Sequence, residues 1–100
     1  MNKELTELEK RLQLIMPKIL VPVRTEKKYD QTTFREMLDI LLEVRDRTKD
    51  DSLINKKVVY HMLYMVKFIR QQAKYAQHPE SLYLAADEIE NVVLEMCNYR

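Results

Sequence analysis

The sequence predicts an all-α protein, an antiparallel four-helix bundle forming a single domain over residues 1–100. Three observations carry that expectation. The 100 residues include three prolines and no glycine, so the chain lacks the residue that tight hairpins with positive φ favour. Apolar residues recur at three- and four-residue spacing in four separate segments. The formal charge is +1, yet its sign alternates along the chain. Residues 1–29 carry +3, 30–55 carry −3, 56–78 carry +5 and 79–100 carry −4. Such alternation favours unlike-charged helices as neighbours.

In the first segment Leu5, Leu8, Leu12 and Ile15 make the stripe, and Leu14 lies off it. Proline lacks an N–H and crowds the preceding turn, so Pro17 is expected to end or kink this helix. Pro17–Tyr29 then reads as an irregular connection whose Ile19, Leu20, Val21 and Val23 lie against the bundle. The second helix starts between Asp30 and Thr33, with Thr33 and Glu36 as a capping box. Phe34, Met37, Leu38, Leu41 and Val44 form its core face, and Arg45 on that face is expected to snorkel to water.

Asp50, Asp51 or Ser52 caps the third helix, which runs to about Gln77; at 1.5 Å per residue it spans about 37 Å and is the longest element. His78-Pro79 breaks the chain, and Pro79 suits the first turn of a fourth helix. Leu82, Ala85, Ala86, Ile89, Val92, Val93 and Met96 make the fourth stripe.

The third helix carries the richest chemistry. KKVVYHMLYMVKFIRQQAKYAQH, residues 56–78, holds five basic residues and no acid. Ile54, Val58, Met62, Met65, Ile69, Ala73 and Ala76 form one apolar face, and Tyr60, His61, Tyr64, Phe68 and Tyr75 a second beside it. The remaining strip bears Lys56, Lys67, Arg70 and Lys74. A helix apolar around most of its circumference is expected at the centre of a bundle. Leu63 falls within the basic strip, and Leu84 and Leu94 fall off the fourth stripe. Grouped with Tyr60, Tyr64 and Tyr75, and rimmed by Lys67, Arg70 and Lys74, they form the predicted interaction surface.

Composition argues against several function classes. His61 and His78 have no cysteine or carboxylate at metal-ligand spacing, and no serine or cysteine sits in a nucleophile motif. The absence of glycine excludes Gly-rich phosphate loops. No catalytic or metal-ligating residue and no cofactor is therefore assigned. Cys97 is the only cysteine, so no intramolecular disulfide forms. The longest uncharged run, VVYHMLYMV, is far short of a membrane span. The first twenty residues are too charged for a signal peptide, and the expected location is the cytoplasm. A near-neutral charge gives no gross reason to expect nucleic acid, although basic residues interleaved with aromatics keep nucleic-acid binding through the third helix as an alternative.

Two resemblances add named alternatives. ELTE (Glu4, Glu7) and EMLD (Glu36, Asp39) are acid pairs at i, i+3, a spacing that places both members on one side of a helix. The pattern resembles the metal-binding motifs of the all-helical MazG-like nucleotide pyrophosphohydrolases, which implies magnesium-dependent hydrolysis. Against it, Glu36 and Asp39 project opposite the Phe34–Leu41 stripe, toward water. The string DDSLINKKVVYHMLY resembles the entry to a helix in the small four-helix immunity proteins of class IIa bacteriocin producers, which implies a neutralising, non-catalytic role. The function expected from the residues themselves is non-catalytic: binding another protein as a regulator, adaptor or neutralising partner. Self-association along the third helix is the alternative within that class.

Overall fold

The protein is described by a computed structural model, which defines residues 3–49 and 56–97. Four helices make up the fold: α1 (Lys3–Glu26), α2 (Gln31–Thr48), α3 (Lys56–Ala73) and α4 (Glu80–Cys97). The expected all-α bundle is what forms. The predicted cap of α3 at Asp50, Asp51 or Ser52, and Ile54 on its apolar face, lie outside the described residues. No helix among the described residues is long and apolar enough to cross a membrane.

The irregular connection expected from Pro17 to Tyr29 is instead mostly helix. α1 runs unbroken through Pro17 and Pro22 and, at 24 residues, is the longest described element. α3 spans 18 residues among those described and ends at Ala73, short of Gln77. The reason lies in the stripe. Leu8, Leu12, Ile15, Ile19 and Val23 continue at helical spacing across Pro17, and all five are buried. Their burial outweighs the hydrogen bonds that the two prolines remove. Gln13 and Lys18, whose carbonyls stand four residues before the prolines, are solvent-exposed residues.

α1 ends on Lys27, whose φ of 59° is the left-handed conformation that glycine usually supplies at a helix C-terminus. A non-glycine residue there costs about 1 kcal/mol. Two bonds offset it: Lys27 N–H donates to the Val23 carbonyl at 3.1 Å, and Lys27 Nζ donates to the Arg24 carbonyl at 2.6 Å.

α2 is capped by Asp30, not by the expected Thr33–Glu36 box. Asp30 adopts extended backbone, and its carboxylate accepts from Thr33 N–H at 2.9 Å and Thr33 Oγ1 at 2.8 Å. Aspartate is the stronger N-cap, and Tyr29 beside it packs on Phe34 with ring centroids 5.0 Å apart. That contact between the residues flanking the first turn is a hydrophobic staple. It fixes the cap one turn earlier than the box would. Because Thr33 donates to it, the Asp30 carboxyl is held below its ordinary value of 3.8. Its stabilisation is present above that value and is lost as pH falls through the lowered one. Asp30→Ala should lower the melting temperature by roughly a few degrees at neutral pH. The gap between wild type and variant should close toward pH 2 in thermal melts. A gap that stays constant with pH would remove the carboxylate from the cap's energetics.

The order of helices around the bundle is not sequential. α1 meets α2 and α3, and α4 meets α3 and α2; among the described residues α1 does not meet α4, nor α2 meet α3. The molecule is two antiparallel hairpins, α1–α2 and α3–α4, laid side by side. Across the hairpins, helices run in the same direction. Arg35 pairs with Glu88 at 3.6 Å and Arg45 with Glu95 at 2.5 Å, so α2 and α4 advance together. Glu9, Leu12 and Met16 share a crevice with Lys57, Val58 and His61, near the starts of α1 and α3. Glu26–Lys28 share another with Tyr75–His78, near their ends.

Alternating charge therefore pairs unlike helices within each hairpin only. Across hairpins, basic α1 lies beside basic α3, and acidic α2 beside acidic α4. Individual arginines on α2 relieve the second contact. α3 is consequently not central: each helix has two neighbours, and the second aromatic face of α3 is left largely outside. The core is contiguous over all four helices, with Phe34, Met37, Leu41, Met62, Met65, Ile69, Leu82 and Ile89 essentially inaccessible. No polar or charged residue among those described is buried in it.

Candidate functional site

The face that carries the predicted surface is built by α3 and its seam with α4. α3 buries Val58, Met62, Met65, Val66, Ile69 and Ala73. At 100° per residue this turns Tyr60, Leu63, Tyr64 and Lys67 outward, and Lys74 follows the last residue of α3 in a turn. All five are exposed, Tyr60 by 66% and Leu63 by 45%. Tyr64 stacks on Phe68 with centroids 6.1 Å apart, and Tyr60 meets His61 edge-on at 5.5 Å. Phe68 packs against the core, while the Tyr60 and Tyr64 rings stay outside it.

Arg70 fixes the register of the seam. Its Nη2 donates to Asp87 Oδ1 and to Glu90 Oε1, both at 2.8 Å, and its Nη1 donates to Glu90 Oε2 at 3.2 Å. Its hydrogen bonds to the Glu90 and Asp87 carboxylates raise the guanidinium further above its already high range. The same bonds hold the Glu90 carboxyl below its ordinary value. Arg70 is thus neutralised within the molecule and is not a free cation of the basic strip.

The antiparallel register places Leu63 and Leu94 at similar heights along the seam. Leu63 stands two turns before Arg70 on α3, and Leu94 stands one to two turns beyond its partners Glu90 and Asp87 on α4. Leu94 is 60% exposed. Tyr60, Leu63 and Leu94 form the apolar end of the face. Lys67 and Lys74 continue along it, and neither has a carboxylate within 4 Å among the described residues.

Two predicted members fall elsewhere. Tyr75, 77% exposed, follows the end of α3 in a turn, with its N–H on the Gln72 carbonyl. It lines the crevice with Lys27, Lys28 and His78, about 16 Å or more along the helix axis from Tyr60 and Tyr64. Leu84 is exposed, but it lies about 15 Å along α4 from Leu94 and is turned toward the α2 side. Sequence reasoning missed Tyr83, which is exposed and stands on the seam line with Asp87, Glu90 and Leu94 at i, i+4, i+7 and i+11. Leu14, which lies off the α1 stripe as expected, is exposed on the outside of that helix, and so is Val21, which was expected to lie against the bundle. Arg45, expected to snorkel, pairs with Asp46 at 3.0 Å and with Glu95.

The acid pairs are not assembled into a centre. Glu7, Glu36 and Asp39 are exposed, and Glu36 and Asp39 line an open depression with Gln31, Thr32 and Arg35. The Glu4 side chain lies outside what is described. No group of three His, Cys, Asp or Glu side chains among the described residues is placed to share a metal ion. His61 sits half-buried in the α1–α3 crevice, His78 is exposed, and Cys97 is half-buried against the core at the end of α4. Compared with known proteins, the chain matches no family model, no curated sequence and no solved structure.

Proposed function

We propose that the protein acts without catalysis, by binding another protein through the outer face of α3 and its seam with α4. The observation that carries this reading is the exposure of Tyr60, Leu63 and Leu94 on the same side of the α3–α4 seam, beside Lys67. Scattered surface leucines are ordinary, but aromatic and aliphatic side chains grouped inside a polar rim mark interfaces. The role that follows is that of a small regulator, adaptor or neutralising partner. Continuous nucleic-acid contact is disfavoured because Asp87 and Glu90 occupy the middle of the same face.

A tagged pull-down from the source cells, with and without nuclease, tests the reading. A stoichiometric protein should be retained through nuclease treatment and lost when Leu63→Asp or Leu94→Asp is used as bait. Both positions are exposed, so the variants should fold normally, and circular dichroism checks this. Identical retention by wild type and both variants would refute the assignment of this face. Loss of every retained protein on nuclease treatment would move the assignment to nucleic acid.

A further inference from the structure

The pattern of charge along the seam specifies its partner more closely. We infer that the face takes an acidic amphipathic helix, laid along α3 and α4 with its carboxylates over Lys67 and Lys74 and an apolar side chain between Leu63 and Leu94; this rests on the protein-binding reading above. Lys67 lies on the outer side of α3 and Lys74, seven residues on, directly follows its last residue, Ala73, so about 10 Å separates them along the axis. Arg70 between them is cancelled by Asp87 and Glu90. The face therefore presents a free cation, a centre of net charge −1 and a second free cation. A helix with carboxylates seven residues apart repeats that interval by the same rise per residue. A helix seated by its apolar face, with charges setting its direction, is a recurrent mode of recognition.

The alternatives fit less well. A second copy of this chain offers α4 as its acidic helix, but four of its five carboxylates are spoken for. Asp87 and Glu90 hold Arg70, Glu88 holds Arg35, and Glu95 holds Arg45. A nucleic-acid strand carries phosphates continuously and would meet Asp87 and Glu90, whereas spaced carboxylates straddle them.

The probe is a labelled synthetic helix of about 18 residues with leucines on one face and glutamates seven apart beside them. Its control is the same peptide with lysine in place of glutamate, and a labelled oligothymidine is run in parallel. Fluorescence anisotropy at about 50 and about 300 mM salt reads affinity. The acidic peptide should bind the intact protein, weaken with salt, and lose about tenfold in affinity with Lys67→Glu plus Lys74→Glu. The lysine peptide should not bind. Equal binding of both peptides, or indifference to the double variant, overturns the inference. Tighter binding of oligothymidine than of the acidic peptide overturns it in favour of nucleic acid. The same double variant used as pull-down bait separates the two claims. A protein that depends on Leu63 and Leu94 but not on the lysines ends the acidic partner and keeps the protein-binding face. Absence of any face-dependent protein ends both.

Discussion

Replacing Phe34 by alanine should destabilise the protein by about 3–5 kcal/mol, the usual cost of deleting a buried aromatic ring. Phe34 is 2% exposed in the first turn of α2. Its ring supports Tyr29, whose Oη donates to the Ser81 carbonyl at 3.2 Å. That bond ties the α1–α2 connection to the start of α4. The substitution therefore opens a cavity and also releases the tie between the two hairpins. For a domain of this length, each kcal/mol moves the melting temperature by roughly 4–8 °C, so a drop of roughly 15 °C or more is expected. Burial and the nearby Glu88 hold the Tyr29 phenol above its ordinary value of 10.0, so its ultraviolet titration should move back toward that value in the variant. A melting temperature within about two degrees of wild type would mean that the core closes around the loss.

Replacing Pro17 by alanine should have the opposite sign and stabilise the protein by about 2 kcal/mol. A proline inside a helix forfeits one backbone bond and crowds the preceding turn, at about 3 kcal/mol. Part of the gain is returned, because alanine leaves the unfolded chain freer by about 0.4–1 kcal/mol. Pro17 is exposed, so the change touches little of the core, whereas Pro22 is half-buried and a less clean test. Denaturant titration should show a higher midpoint at unchanged slope. A lower midpoint would show that the Pro17 backbone sets the angle that carries Ile19 and Val23 into the core.

The same two residues show what was legible in the sequence. The buried stripes of α2, α3 and α4 were readable because apolar spacing reports a helix face directly; Phe34, Met62, Ile69 and Ile89 are buried as expected. α1 was misread at Pro17 because a local rule was set against a stripe that continues on both sides, and tertiary burial of Ile19 and Val23 prevailed. The cap was misplaced by one turn because Asp30 and Thr33 both qualify locally, and only the Tyr29–Phe34 contact selects between them. The surface was legible in part. Tyr60, Leu63, Tyr64 and Lys67 share a face because one helix carries them all. Whether Leu84 or Leu94 joins that face, and whether Arg70 is free, depends on the register between α3 and α4. Periodicity within one helix carries no information about that register.

The side-by-side placement of two hairpins has a consequence for how the chain finds its fold. The connections closing each hairpin are short, residues 27–30 and 74–79, so little entropy is spent bringing their helices together. Among the described residues, interactions between the two hairpins arise along α1–α3 and α2–α4 and at the Tyr29–Ser81 bond. Local structure can thus complete itself before any long-range search begins, the low-contact-order regime in which helical proteins fold within microseconds to milliseconds. The cost of such modularity falls on the intermediate: each hairpin formed alone leaves half of a contiguous core facing water. Docking of the two halves is therefore both the slowest search and the step that removes the greatest hazard.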